Sequence, residues 1–379
     1  MGGEAIKMNI KEEFRKLKRY YDENDFEKIL KHKLGVYFLK MRSISRAPLL
    51  RRLANKVGID ITNIPGRDLF EYLFCKQISE DVLDKFLIEV YNEERQKLIQ
   101  DEDQLYTQLY KVKVFDWGGF YQNAVEQTIV NNYVKKIRDY NVLVERIEND
   151  INPRIRGYII CSWYNHWTSI LIEDMIKRQP NVLPASGLVK KIDFFWFNFP
   201  FDLKVTYFPD EYLQIKRKEL GLDSELTELK RFARRLNINY DRSARDREVF
   251  EELLTRISEH PSIEAKEFIK NFHSIRRKII EETIENPIPL IRWFYENQGI
   301  RRFDAANRFF IVLADLNNLE ESWKLKRNKV LLKSHIDKFF REHKEPIFEK
   351  MKITFNWQDR EYTTYATILF IVKDDGNDY

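Results

Sequence analysis

The stretch that decides the fold runs over residues 162–206, SWYNHWTSILIEDMIKRQPNVLPASGLVKKIDFFWFNFPFDLKVT. Apolar residues recur at helical spacing in its first part, which predicts a helix over 162–177. Its last part is rich in the aromatic and β-branched residues typical of strands. The pattern therefore predicts two strands, 192–197 and 201–207, joined by a tight turn.

Charged side chains interrupt this predicted hairpin. If Asn198 and Phe199 form a two-residue turn, the register pairs Asp193 with Lys204. Directly paired residues share a face of a sheet, as do alternate residues of one strand. Asp193, Asp202 and Lys204 are therefore expected on one face. The intervening residues of the second strand are expected to face a core: Leu203, Val205 and Tyr207.

The predicted helix carries an acid beside an apolar face. The apolar stripe consists of Trp163, Trp167, Ile170 and Leu171. The adjacent polar stripe consists of Ser162, His166, Ser169, Glu173 and Lys177. Glu173 is thus expected next to a buried surface. Its neighbour Asp174 is an equal alternative, and His166 and Ser169 are candidate substrate contacts.

Several carboxylates on a buried hairpin are costly without a counter-charge. A divalent cation would supply that charge, and Mg²⁺ prefers carboxylate and carbonyl oxygens. Such an ion activates water and stabilises charge on a phosphate, and Lys204 is a candidate to position or deprotonate the water. The alternative is a structural ion pair between Lys204 and one Asp, with Glu173 merely solvated.

Asp193, followed by Asp202-Leu203-Lys204 and preceded by a helical Glu173, resembles the active site of the PD-(D/E)xK nuclease superfamily, whose fold is typified by type II restriction endonucleases. The resemblance covers residues 162–207. It implies that Asp193 and Asp202 bind Mg²⁺, with Mn²⁺ as a substitute, and that Glu173 completes the metal site. It also implies that Lys204 assists the nucleophilic water. Ile192 stands where the family name has proline.

The sequence on either side of this stretch has mostly helical patterns. Residues 1–150 predict a helical N-terminal region for DNA binding or dimerisation, either as a helix-turn-helix or as plain helical packing. Residues 151–210 and 300–379 are expected to form the nuclease core, with 211–299 as a helical insertion. The predicted fold class is α/β (α+β): a restriction-endonuclease-like mixed β-sheet core flanked by helices.

The C-terminal segment supplies further core elements. Residues 308–314 are continuously apolar after Arg308, which predicts a buried strand. A crossover helix is expected over 320–343, followed by strands over 352–357 and 362–372. Helix, hairpin, strand, helix and strand is the order that the resemblance implies.

Composition narrows the class of protein. In 379 residues, a hydrophobic content of 43% allows a substantial core, and a net charge of +5 permits nucleic-acid binding. Three basic residues, Lys324, Lys326 and Arg327, are candidate phosphate contacts, with a solvated helix face as the alternative. Two distant cysteines predict a reduced, cytoplasmic protein. Neither a bilayer-length apolar run nor a P-loop is present, so no membrane and no nucleotide cofactor are expected.

Together these observations predict a Mg²⁺-dependent DNA endonuclease, most like a type II restriction enzyme. Its expected partner is double-stranded DNA, and palindromic targets would favour a homodimer. One alternative is a structure-specific repair or defence nuclease of the same fold. The other is a non-catalytic helical DNA-binding or interaction protein whose buried Asp–Lys pairs are structural.

Overall fold

A computed structural model describes residues 2–120, 124–186, 191–300, 303–343 and 348–374. The chain forms two units. The first comprises Met1–Leu203 and Lys326–Pro346, and the second comprises Lys204–Leu325 and Ile347–Tyr379. The segments predicted as the nuclease core, 151–210 and 300–379, each contribute to both units.

The first unit begins with seven helices: α1 (Gly2–Asp22), α2 (Phe26–Lys31), α3 (Gly35–Ser43), α4 (Ala47–Lys56), α5 (Leu69–Cys75), α6 (Glu80–Leu98) and α7 (Glu102–Leu109). Asp25 caps α2 by accepting the Lys28 N–H, and α4 has a proline in its first turn. The shared core of these helices contains tilted and T-shaped pairs of aromatic rings, among them Phe14, Phe38 and Phe74. Most of α3 is buried, so it lacks the amphipathic period by which a surface helix is predicted.

The same unit continues with α8 (Val125–Ile129), α9 (Tyr140–Arg146), α10 (Asn152–Lys177), β1 (Val182–Pro184), β2 (Phe194–Trp196) and the start of β3 (Phe199–Tyr207). Helix α16 (Lys329–Glu342) also belongs to it, and its Phe339 and Phe340 pack on Trp196. Gly157 lets α10 approach the preceding loop, because a Cβ there would lie 2.5 Å from the Asp116 carbonyl oxygen.

The second unit is helical between two groups of strands. Its elements are α11 (Asp210–Glu219), α12 (Glu225–Arg235), α13 (Asp246–Ser258), α14 (Ile263–Glu285), α15 (Ile288–Glu296), β4 (Arg308–Asp315), α17 (Phe348–Met351), β5 (Lys352–Trp357) and β6 (Arg360–Lys373). A buried ion pair joins two of these helices, with Arg276 of α14 donating to both carboxylate oxygens of Glu225 in α12.

The strands are hydrogen-bonded in the order β1-β2-β3-β4-β6-β5. Pairing is antiparallel for β1–β2, β2–β3 and β5–β6 and parallel for β4–β6. A mixed sheet flanked by helices is thereby confirmed. The three C-terminal strands were placed correctly. The predicted crossover helix instead begins as a 3₁₀ helix (Leu319–Arg327) before α16, and β1 was not predicted.

The predicted hairpin register is wrong by two residues. Phe194 pairs with Phe201 and Trp196 with Phe199, so the turn consists of Phe197 and Asn198. Both turn residues have positive φ, 49° and 65°, as a type I′ turn requires. A shift of two residues preserves the faces but changes the partners. Among the described residues, no helix combines the length and apolarity needed to cross a bilayer.

Candidate functional site

Asp193 lies at the point where β2 stops pairing regularly with β3. Its N–H donates to the Phe201 carbonyl oxygen at 2.8 Å. Its Oδ2 accepts the Leu203 N–H at 2.7 Å, so the side chain takes the place of a backbone acceptor. Asp193 is therefore fixed beside Asp202 and Leu203, rather than opposite Lys204 as the predicted register had it.

Helix α10, in the same unit as Asp193, carries an acid and a base close to each other. Glu173 is one-third exposed and lies 2.5 Å from the ammonium of Lys177, one turn later. Lys177 is only 8% exposed, and its Nζ also lies 3.4 Å from the Ala185 carbonyl oxygen. The two side chains are thus positioned by helical spacing and by the loop that follows β1.

These groups line one cavity of about 250 Å³ in the first unit. Its walls come from α6, α10 and the residues that flank β1 and β2. Its polar lining consists of Tyr91, Glu94, Arg95, Glu173, Asp174, Lys177 and Asp193. Two acids predicted from separate elements, Glu173 and Asp193, are therefore brought together. Asp202 is buried on the adjacent strand.

The electrostatics of Asp193 reflect this crowding of acids. Burial, together with the negative charges of Glu173 and Asp202, raises the pKa of Asp193 to about 6. The Leu203 N–H and the charge of Lys177 act in the opposite direction without cancelling that rise. Since like charges nearby disfavour ionisation, the cluster is a place where a cation would be stabilised.

Asp174, the alternative to Glu173, has a different environment. It is 3% exposed, and its Oδ1 accepts hydrogen bonds from the Tyr91 hydroxyl and from Arg95 Nε, both at 2.5 Å. Its Oδ2 lies 3.0 Å from Arg178, without the alignment of a hydrogen bond. Asp174 therefore ties α10 to α6, and the geometry favours Glu173 as the acid that is open to a ligand.

The remaining predicted catalytic residue, Lys204, is exposed and belongs to the second unit. It follows Asp202 by two positions on β3, so strand alternation places both side chains on the same face. The predicted inward-facing residues of this strand, Leu203, Val205 and Tyr207, are partly buried.

The candidate substrate contacts are placed in different ways. His166 is exposed on α10, with its ring edge against Trp167, and Ser169 is partly buried one turn before Glu173. Lys324 forms an ion pair with Glu321 in the second unit. None of these three residues lines the cavity.

Lys326 and Arg327 are buried, so the structure does not place them on the solvated face that phosphate contact requires. Lys326 donates to Asn165 Oδ1 at 2.8 Å, and burial lowers the pKa of its ammonium to about 8. Arg327 donates to the carbonyl oxygens of Leu109 and Val112. Both side chains therefore make their hydrogen bonds to neutral acceptors inside the first unit.

The sequence patterns assigned no role to Lys177, Tyr91 or Arg95. The spacing of four between Glu173 and Lys177 was a usable signal, since such pairs meet on a helix. No local pattern could have placed Tyr91 or Arg95 beside Asp174, because they lie about 80 residues away along the chain.

The donor set can be compared with what Mg²⁺ needs. Within the described ranges, no group of three or more His, Cys, Asp or Glu side chains is arranged to hold a metal ion. Mg²⁺, however, usually keeps several waters and uses only one or two carboxylates. Asp193 and Asp202 are two carboxylates on neighbouring strands, and the charge of Asp202 is one of the causes that raise the pKa of Asp193.

Comparisons with known proteins add no relative. The chain matches no protein-family model, no curated protein and no solved structure. The case for the site therefore rests on this chain's own residues.

Proposed function

We propose that this chain is a Mg²⁺-dependent DNA endonuclease of the PD-(D/E)xK kind, most like a type II restriction endonuclease, that hydrolyses phosphodiester bonds. The observation that carries the proposal is the convergence of Glu173, Lys177 and Asp193 on one cavity, with Asp202 on the neighbouring strand. Carboxylates of this kind are the ligands that a phosphate-cleaving Mg²⁺ site uses.

Asp193 and Asp202 are the proposed ligands. The Leu203 N–H occupies Oδ2 of Asp193 and fixes the carboxylate, which leaves Oδ1 to bind an ion. Glu173 completes the cluster from α10. When bound, Mg²⁺ supplies positive charge to the phosphate and makes water a better nucleophile.

Two lysines compete for the remaining role, which is to orient the attacking water and stabilise developing negative charge. Lys204 is the candidate from the sequence motif. Lys177 is the candidate from the cavity, because it lines the cavity, pairs with Glu173 and lowers the pKa of Asp193 by its charge. Replacing each lysine separately distinguishes them.

Double-stranded DNA as substrate, a homodimeric state and a cytoplasmic location are parts of the same proposal. The net charge of +5 supports a polyanionic partner. The two-fold symmetry of palindromic targets supports a dimer.

The test is digestion of mixed plasmid and phage DNA by wild-type protein in Mg²⁺, in Mn²⁺ and in EDTA. Asp193→Asn, Lys177→Ala and Lys204→Ala are assayed beside Asp81→Asn, which changes an exposed acid on α6 of the same unit. We expect metal-dependent cleavage that Asp193→Asn abolishes and Asp81→Asn preserves. Intact DNA in both metals would overturn the proposal.

A structure-specific nuclease of the same fold is the second candidate. The observation that favours it is Trp163 on α10, which is 37% exposed. Bases within a duplex are already stacked on one another, so a duplex offers this ring no base to stack on. Discrete fragments in the digestion would indicate sequence recognition, whereas cleavage confined to junctions or flaps would indicate recognition of structure.

A further inference from the structure

One face of α10 carries aromatic side chains that are partly exposed to solvent. Trp163 is 37% exposed, His166 is exposed and Trp167 is half-buried. The sequence pattern had predicted the two tryptophans on the buried stripe. The buried face instead consists of Cys161, Tyr164, Thr168, Leu171, Ile172 and Met175.

The exposed face is continuous with the cavity. Trp163, Ile170 and Glu173 follow one another at spacings of seven and three residues, so they lie on one side of the helix. Ile170 and Glu173 line the cavity that contains Asp193. Trp163 and Glu173 are ten residues apart along α10, about 15 Å, or roughly the length of four stacked nucleotides.

The charge of this face suits a polyanion. Between Asn152 and Ile172, α10 contains no Asp or Glu, whereas it contains Arg154 and Arg156. Arg154 is ion-paired with Asp150, so Arg156 is the cation that this face offers to a phosphate. Arg156 is exposed two turns before Trp163, on the same side of the helix. A helix face that binds another protein usually carries charges of both signs, whereas one that binds the phosphates of a nucleic acid needs only positive charges.

We propose that the face of α10 from Arg156 to Trp167 binds an unpaired stretch of a nucleic-acid strand and leads it toward the Asp193 cavity. This inference rests on the second candidate function, a structure-specific nuclease of the same fold, and names the substrate class of that site. A tryptophan face stacks with a base only where the base is not already stacked within a duplex. Arg156 would hold the phosphates of the same strand.

The test measures binding without cleavage. A fluorescein-labelled 12-nucleotide single strand and the matching 12-base-pair duplex are titrated with protein in EDTA, and fluorescence anisotropy gives Kd. Wild type should bind the single strand more tightly. Because alanine replacement of a stacking aromatic weakens binding by about 5- to 150-fold, Trp163→Ala should raise Kd for the single strand within that range. Trp163→Phe should recover most of the affinity.

Matched controls separate this face from the general surface. Tyr140→Ala removes an aromatic residue that is 76% exposed on α9 of the same unit, and Kd should change less than about twofold. Arg156→Glu should weaken binding and flatten its salt dependence, whereas Arg67→Glu, at another exposed site, should not.

Several outcomes would overturn the inference. Trp163→Ala could bind the single strand as wild type does, wild type could prefer the duplex, or neither oligonucleotide could bind. A change in sedimentation of Trp163→Ala with unaltered oligonucleotide binding would show that a protein, such as a second copy, occupies the face. The proposed nuclease function fails separately, because it is decided by metal-dependent cleavage and by Asp193→Asn.

Discussion

Of two adjacent acids on α10, we expect Asp174 to be needed for folding and Glu173 for catalysis. Asp174→Asn removes a buried charge that accepts hydrogen bonds from Tyr91 and Arg95. Glu173→Gln changes a one-third exposed acid whose ion-pair partner is Lys177. The two variants alter neighbouring positions by the same chemical step, so each is the control for the other.

The magnitudes follow from the contacts. A hydrogen bond to a charged group contributes about 1.5–3 kcal/mol, so two at Asp174 place the loss at about 3–6 kcal/mol. Asparagine keeps a neutral Oδ1 that still accepts hydrogen bonds, and Arg95 and Arg178 retain Glu102 at 3.0 and 3.5 Å, so the lower end of that range is expected. A partly exposed pair such as Glu173–Lys177 contributes only about 0–1 kcal/mol.

Thermal unfolding followed by far-ultraviolet circular dichroism measures the difference. At roughly 2–4 °C per kcal/mol for a unit of this size, Asp174→Asn should lower Tm by about 6–12 °C. Glu173→Gln should lower Tm by no more than about 4 °C but should lose DNA cleavage. The assignment of Asp174 to structure and Glu173 to the site is refuted if Glu173→Gln unfolds at the lower temperature of the two.

Three further predictions concern single side chains. The folded pKa of Asp193, about 6, exceeds its unfolded value of about 3.9, so its ionisation costs stability above pH 6 and that cost disappears as pH falls toward 4. Asp193→Asn should therefore unfold at higher urea concentration than wild type at pH 8, with the difference vanishing near pH 4. For Lys326 the folded pKa, about 8, lies below the unfolded value of about 10.4, so wild type should gain stability between pH 8 and 10 while Lys326→Met, in the same urea titrations, should lack that gain. Gly157→Ala should destabilise by about 1–3 kcal/mol, although alanine ordinarily strengthens a helix, because its Cβ would meet the Asp116 carbonyl; an unchanged or raised Tm would refute that close approach.

Much of the sheet was accessible to sequence reasoning because its signals are local. All eight residues of β4 are buried, and residues 309–314 within it, FFIVLA, are continuously apolar. The hairpin turn was misplaced because either two-residue turn contains Asn198 and one phenylalanine, so local preference does not distinguish Phe197 from Phe199. Trp196 lies next to this turn and is fully buried against α16, so tertiary packing outweighs local preference there.

The candidate site was only partly accessible for a similar reason. Strand alternation and helical spacing identified Asp193, Asp202 and Glu173 as acids near a buried surface. They did not show which face of α10 is buried, because an aromatic stripe at Trp163 and an alternative one at Tyr164 satisfy the same period. The partners of Asp174 come from α6, and no local pattern carries that information.

The most direct test of the central claim is divalent-cation binding. Mn²⁺ added to the protein is followed by electron paramagnetic resonance, whose free-ion signal falls as the ion binds, with Mg²⁺ as competitor. Wild type, Asp193→Asn, Asp202→Asn and the exposed-acid control Asp81→Asn are compared. We predict that wild type and Asp81→Asn bind Mn²⁺ and that Mg²⁺ displaces it. Each of Asp193→Asn and Asp202→Asn should weaken Mn²⁺ binding by about tenfold or more, since loss of a ligand costs at least about 1.4 kcal/mol. Equal binding by all four proteins, or none by wild type, would contradict the account.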